Sequence, residues 1–215
     1  LYQDKLSQLV SGSSDQCKLS HCQRSEVSHW YGVIALTSPE ISLIKHKISL
    51  KESIVKKIAV FVDVQNIYYT VKEQFGCYFN YRELWRQLSA QGEIIQADAY
   101  AIERNDAGQR GFQQVLREIG FEVKLKPFIQ RSDGSAKGDW DVGIAIDMMD
   151  CAASDNPPDE IVLLSGDGDF DLLLTRVSQR YEVATSVYGV AALTAASLID
   201  AADHFQPIQT TLLLK

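Results

Sequence analysis

Residues 54–215 of this 215-residue chain predict an α/β fold: a mostly parallel central sheet with helices on both faces. Short apolar runs of strand length alternate with stretches of helical spacing, the pattern of successive βα units. Several of those runs are apolar throughout rather than alternating, as strands buried on both faces require. Acidic residues recur directly after such runs, at the carboxyl ends where open α/β sheets gather their ligands.

The elements follow in order. Residues 58–62 form an apolar strand ended by Asp63. Asn80, with Glu83 three residues on, reads as a capping box for a helix to about Ala90. Residues 94–102 and 121–128 are the next strands, and between them Asp106 can cap a helix that Gly120 ends. After the polar loop Ser132-Asp133-Gly134-Ser135, residues 139–153 have helical spacing in Val142, Ile146 and Met149, and Pro157 and Pro158 stop that helix. A strand at 161–164, a helix at 170–180, a strand at 182–187 and a helix at 191–202 complete the pattern. Phe170 and Trp85, at helical spacing from Leu173 and Leu88, read as core, as does at least one of Tyr68 and Tyr69.

Residues 1–53 read as an N-terminal extension without a clear period. Cys17, His21, Cys22 and His29 lie close together there, but their irregular spacing does not match the paired ligands of structural zinc sites. The four cysteines form no framework, which points to a reducing cytoplasm. Neither a spanning segment nor a secretory leader is expected, so no membrane partner is implied. A formal charge of -7 argues against a generic basic clamp for nucleic acid. Assembly into a homo-oligomer is left open.

Three acidic motifs carry the chemistry. Phe61-Val62-Asp63-Val64-Gln65-Asn66 and Ser165-Gly166-Asp167-Gly168-Asp169-Phe170 each follow an apolar strand, so both project onto one rim. Lys137-Gly138-Asp139-Trp140-Asp141-Val142 opens a helix and places Asp141 in its first turn. Asp147, six residues on, lies roughly 240° around the helix axis and cannot share that face. It is expected to support the site from behind or to face solvent. Asp63, Asp141, Asp167 and Asp169 would repel one another by roughly 3 kcal/mol per pair at about 5 Å. A divalent ion removes that cost, and Mg²⁺ or Mn²⁺, one or two ions, suits carboxylate donors. Phosphodiester hydrolysis is the simplest use of such a site.

Together FVDVQN, KGDWDV followed by GIAID, and SGDGDF resemble the motif set of the NYN family, in its LabA-like branch of the PIN-like nucleases, over roughly residues 56–207. The resemblance implies a Rossmann-like three-layer domain and a Mg²⁺- or Mn²⁺-dependent ribonuclease. On this chain Asp63, Asp141, Asp167 and Asp169 become metal ligands or orienters of the attacking water. Asn66 would bond to Asp63 or to that water, Ser165 would set the turn, and Lys137 would touch the scissile phosphate. Asp139 competes with Asp141 for the family position, and Asp141 is favoured because the apolar helix follows it.

Other readings are weaker. No GxxxxGK[ST] loop is present, and Asp171 occupies the third glycine position of a dinucleotide fingerprint, so no nucleotide cofactor is expected. Leu172 and Ser178 break the calcium-loop pattern begun by Asp167, Asp169 and Asp171. Gln65 stands where an aspartyl-phosphate phosphatase needs a second acid. Lys124, Lys126 and Arg131 are candidates for an RNA track and Tyr68 for stacking on a base. The alternative function is an RNA-binding regulatory module of the same fold that turns over slowly or not at all.

Overall fold

The computed structural model describes residues 55–103, 107–127, 129–130, 136–137 and 139–214. The readings made for residues 1–53, for the Asp106 cap and for Arg131 lie outside these residues. Strand β1 (Lys57–Asp63) runs through the middle of a six-stranded, wholly parallel sheet. Successive strand side chains point to opposite faces. Ile58, Val60 and Val62 therefore enter one core, and Ala59 and Phe61 enter the other. With both faces covered, the run has no polar position to alternate with.

On the first face lie helices α1 (Val64–Phe75) and α2 (Tyr81–Ser89), followed by strand β3 (Glu93–Glu103) and helix α3 (Ala107–Ile119). Ile67, Val71, Leu84, Leu88 and Leu116 fill the core beneath these helices. Asn80 caps α2 by accepting the Glu83 N–H at 3.1 Å. Only that half of the capping box forms: the Asn80 N–H goes to the Leu212 carbonyl, and the Glu83 carboxylate takes Arg86 and Gln87. Gly120, at φ 126°, ends α3 against the ring of Trp85, a half-buried residue packed on this core.

Strand β4 (Glu122–Pro127) closes one edge of the sheet, and the short strands β5 (Ile129–Gln130) and β6 (Ala136–Lys137) pair antiparallel. The second face carries helix α4 (Asp141–Ala152) and, after strand β7 (Glu160–Leu164) and a 3-10 turn at Gly168–Phe170, helix α5 (Asp171–Tyr181). Phe170 is buried there, as its spacing predicts. Strand β8 (Ala184–Gly189), helix α6 (Ala196–Ala201) and edge strand β9 (His204–Pro207) finish the sheet. Strand β2 (Tyr78–Phe79) pairs separately with strand β10 (Leu213–Leu214).

The sheet order β4-β3-β1-β7-β8-β9 reverses its direction of growth between β1 and β7. That reversal opens a crevice at the carboxyl ends of the two strands, where ligands of such sheets bind. Among the described residues no helix is long and apolar enough to cross a membrane.

Several expectations need correction. Helix α4 buries Ile144, Met148, Cys151 and Ala152, while Val142 and Ile146 are 69% and 55% exposed. The helix is apolar on nearly every side, so two stripes of equal spacing compete, and its tertiary neighbours choose between them. Residues 191–202 do not form one helix. A 3-10 turn at Ala191–Leu193 gives way to extended backbone at Thr194 and Ala195 before α6 begins. Tyr68 and Tyr69 both stand exposed rather than packing in the core.

Candidate functional site

Each acid is delivered by the end of a regular element. Asp63 ends β1 and caps α1, its Oδ1 accepting the Asn66 N–H at 3.1 Å. Asp167 follows β7 and accepts the Asp169 N–H at 3.0 Å, shaping the 3-10 turn that turns Asp169 outward. Ser165, fully buried, supports that turn by accepting the Asp167 N–H at 3.2 Å. Asp141 is the first residue of α4.

Trp140 holds the entry to α4 against the sheet. Its ring N–H donates to the Ala101 carbonyl at 2.9 Å, and its ring packs so closely on Gly143 that a Cβ there would approach it to 2.6 Å. Gly143 thereby lets the indole lie flat against the helix that presents Asp141.

Asp141, Asp167 and Asp169 come together, with carboxylate oxygens all within 4.8 Å of one another. Asp63 stands just outside that triangle. Its carboxyl is pushed up to about 6, chiefly by burial and further by the charges of Asp141 and Asp167, against the opposing pull of the Asn66 N–H. Asp141 is likewise raised, first by burial and then by Asp139, Asp167 and Asp169. Among the described residues no Lys or Arg is paired with any of the four acids. At this spacing each pair repels by roughly 3 kcal/mol at an effective dielectric near 20. Clustered oxygen donors with uncompensated charge fit a hard divalent cation.

The expected bond between Asn66 and Asp63 forms, and the residue has a second role besides. Its backbone N–H, not its side chain, bonds to Asp63, while the side-chain carbonyl accepts the Gly166 N–H at 2.8 Å. Gly166 is further clamped by the Ala195 N–H on its carbonyl at 3.0 Å. A Cβ on Gly166 would come within 2.8 Å of the Leu193 carbonyl. The break at Thr194 and Ala195 is therefore what seats the aspartate-bearing turn. Nothing in the alanine-rich run at 191–202 signals it.

The lysines expected to track RNA are engaged elsewhere. Lys124 donates to Asp147 at 2.7 Å and to Asp98 at 3.1 Å, and Tyr100 donates to Asp147 at 2.7 Å. Asp147 thus neither supports the acid cluster nor stands free in solvent. It closes a polar network over Asp98, which is only 2% exposed. Lys126 donates to the Asp139 carbonyl at 2.9 Å and lies over the Trp140 ring, which leaves Asp139 exposed at the edge of the site. Asp98 and Tyr100 were missed, although an acid inside an apolar strand is itself a signal, since a buried carboxylate needs a partner. The Lys137 side chain lies outside the described residues.

A parallel α/β sheet carrying an acidic cluster at its switch point defines the class. The chain belongs to the NYN domain family, whose model matches residues 57–209, a family related to the PIN nucleases. It is 32% identical over 146 residues to the "Low amplitude and bright protein LabA" of Synechococcus elongatus, covering 63% of this chain and 76% of that protein. The crystal structure of VPA0982, a protein of unknown function from Vibrio parahaemolyticus, superposes with a TM-score of 0.70 at 51% identity. It covers 74% of this chain and 97% of that one.

Proposed function

We propose that residues 54–215 form a nuclease domain that hydrolyses RNA phosphodiester bonds with the help of Mg²⁺ or Mn²⁺. The observation that carries this reading is the triangle of Asp141, Asp167 and Asp169, within 4.8 Å of one another, with no described cation paired to it. These three carboxylates would hold the ion, which when bound activates water and stabilises the leaving oxygen. Asp63, raised toward neutrality, is suited to take up a proton beside them. Asn66, Ser165 and Trp140 hold the acids in position through the bonds described above.

A module that keeps the ion and the RNA but does not turn over is the competing reading. It is favoured by the engagement of Lys124 and Lys126, the lysines expected to track RNA, within the domain. Incubation of the purified chain with end-labelled RNA and Mn²⁺ or Mg²⁺ tests the two. Cleavage that disappears in Asp141→Asn and Asp167→Asn, with unchanged circular dichroism, supports the nuclease. Equal cleavage by variant and parent overturns it, and calorimetric metal binding without any cleavage supports the module.

A further inference from the structure

A second concavity adjoins the acids and contains none. It encloses about 590 Å³ between the first turns of α1, the β2–β10 pair and the start of α3. Its size falls within the roughly 300–1,000 Å³ typical of small-ligand pockets. Val64 and Gln65, the two residues after Asp63, form its near wall. Most of the rest is aromatic: Tyr68, Tyr69, Tyr78, Tyr81 and Phe112 line it, alongside Gln109.

No Asp, Glu, Lys, Arg or His is among its lining residues, so the cavity suits a neutral guest rather than a phosphate. The tyrosine rings form a connected surface. Tyr68 and Tyr69 meet edge to face at 5.3 Å between centroids, and Tyr68 and Tyr78 lie 6.2 Å apart with planes tilted by 35°. Tyr68 and Tyr78 are 46% and 52% exposed, a large apolar area to leave uncovered. Lys72 lies over the Tyr78 ring at 4.6 Å and makes that ring the attachment point of a nearby positive charge.

We propose that this cavity receives an unpaired nucleobase of the RNA whose backbone lies at the acids, so that the protein selects single-stranded over duplex RNA. The inference rests on the RNA reading of the acid site and adds what that site cannot supply. Aspartates and an ion grip phosphate without regard to pairing, whereas a base can reach the tyrosines only when it is free of its complementary strand. Stacking on exposed aromatic faces holds bases in single strands with little sequence preference. The cavity wall begins at Val64, directly after Asp63, which lets one nucleotide reach both.

Fluorescence anisotropy on the full chain carrying Asp141→Asn, with Mg²⁺, tests this. Three labelled ligands of equal length are compared: a single-stranded RNA, the same strand in a duplex, and an abasic ribose-phosphate oligomer. The single strand is expected to bind at least about tenfold more tightly than either of the others, the scale of one stacked base. Adding Tyr68→Ala with Tyr78→Ala should remove that advantage and leave the affinity for the abasic oligomer unchanged, and Tyr68→Phe should keep it. Equal binding of duplex and single strand, an unchanged double variant, or no binding overturns the proposal. The ligand comparison needs no tyrosine variant, so a misfolded one would not blunt the test. If the tyrosines govern binding but the parent chain never cleaves, the nuclease reading fails and the base site stands. If the parent cleaves and the tyrosine variant matches it in kcat and KM, the base site falls and the nuclease stands.

Discussion

The side-chain carbonyl of Asn66 accepts the Gly166 N–H at 2.8 Å, a bond that joins the first turn of α1 to the turn after β7 across 100 residues of sequence. It links the two strand ends that carry Asp63 and Asp167 beyond the last paired residues of β1 and β7. Replacement by alanine orphans a part-buried N–H, at a cost of about 1–3 kcal/mol. Urea denaturation of Asn66→Ala is expected to show that loss. Calorimetry should show weaker metal binding in the same variant, although every carboxylate remains.

Asp63 sets a pH dependence. Its carboxyl is raised from 3.8 to about 6, mainly by burial, so the folded chain holds this proton more firmly than the unfolded one. The resulting stabilisation is fully present below the ordinary carboxylate value and disappears as pH rises through about 6. Asp63→Asn keeps a side chain able to cap α1 and removes the titration. In the absence of divalent ions the variant should therefore be more stable than the parent at pH 7.5, by roughly 2 kcal/mol after allowance for solvent screening. The difference should vanish by about pH 4. Thermal melts across that range check it.

Divalent ions should act in the opposite sense. Protons compete for the same oxygens, so Mn²⁺ is expected to raise the melting temperature more at pH 8 than at pH 5. Asp141, which is also shifted upward, adds to this trend. An equal Mn²⁺ effect at both pH values would contradict binding at these carboxylates.

Lys124 separates a structural role from an RNA contact. It serves two acids at once, one of them almost wholly buried. Lys124→Met would leave Asp98 and Asp147 without their cation and should cost about 2–3 kcal/mol near pH 7. The salt dependence of RNA binding should stay unchanged, because no phosphate contact is lost. A variant of normal stability with a shallower salt slope would restore Lys124 to the RNA track.

Gly120 is confined twice over: its φ of 126° is costly for any side chain, and a Cβ would approach the Trp85 ring to 2.6 Å. Gly120→Ala is expected to destabilise the domain by about 2–4 kcal/mol, combining backbone strain with overpacking. Chemical denaturation measures it directly.

Much of this architecture was legible because parallel strands buried on both faces are apolar throughout, as at Ile58–Val62, and because the acids follow them directly. The rotation of α4 was not legible. Val142, Ile146 and Met149 make as good a stripe as Ile144, Met148 and Cys151. Tertiary contacts decide which one faces inward, among them Trp140 against Ala101 and Lys124 and Tyr100 against Asp147. Strand β9 escaped notice because it is four residues long. Its start is pinned by Asp203, which accepts from the Thr185 backbone and hydroxyl, contacts made 18 residues away. Lys124 looked like a free surface cation for the same reason, since its partners lie 26 and 23 residues away.

The reversal of strand order between β1 and β7 makes the acidic pocket a joint property of two halves of the molecule. Asp63 follows a strand of one half and Asp167 and Asp169 follow a strand of the other, so a cation drawing on both would be released by any fluctuation that parts them. Occupancy should accordingly slow amide exchange in both central strands together while leaving the outermost one, at His204–Pro207, little altered. The cation would serve as a rivet as well as a reagent.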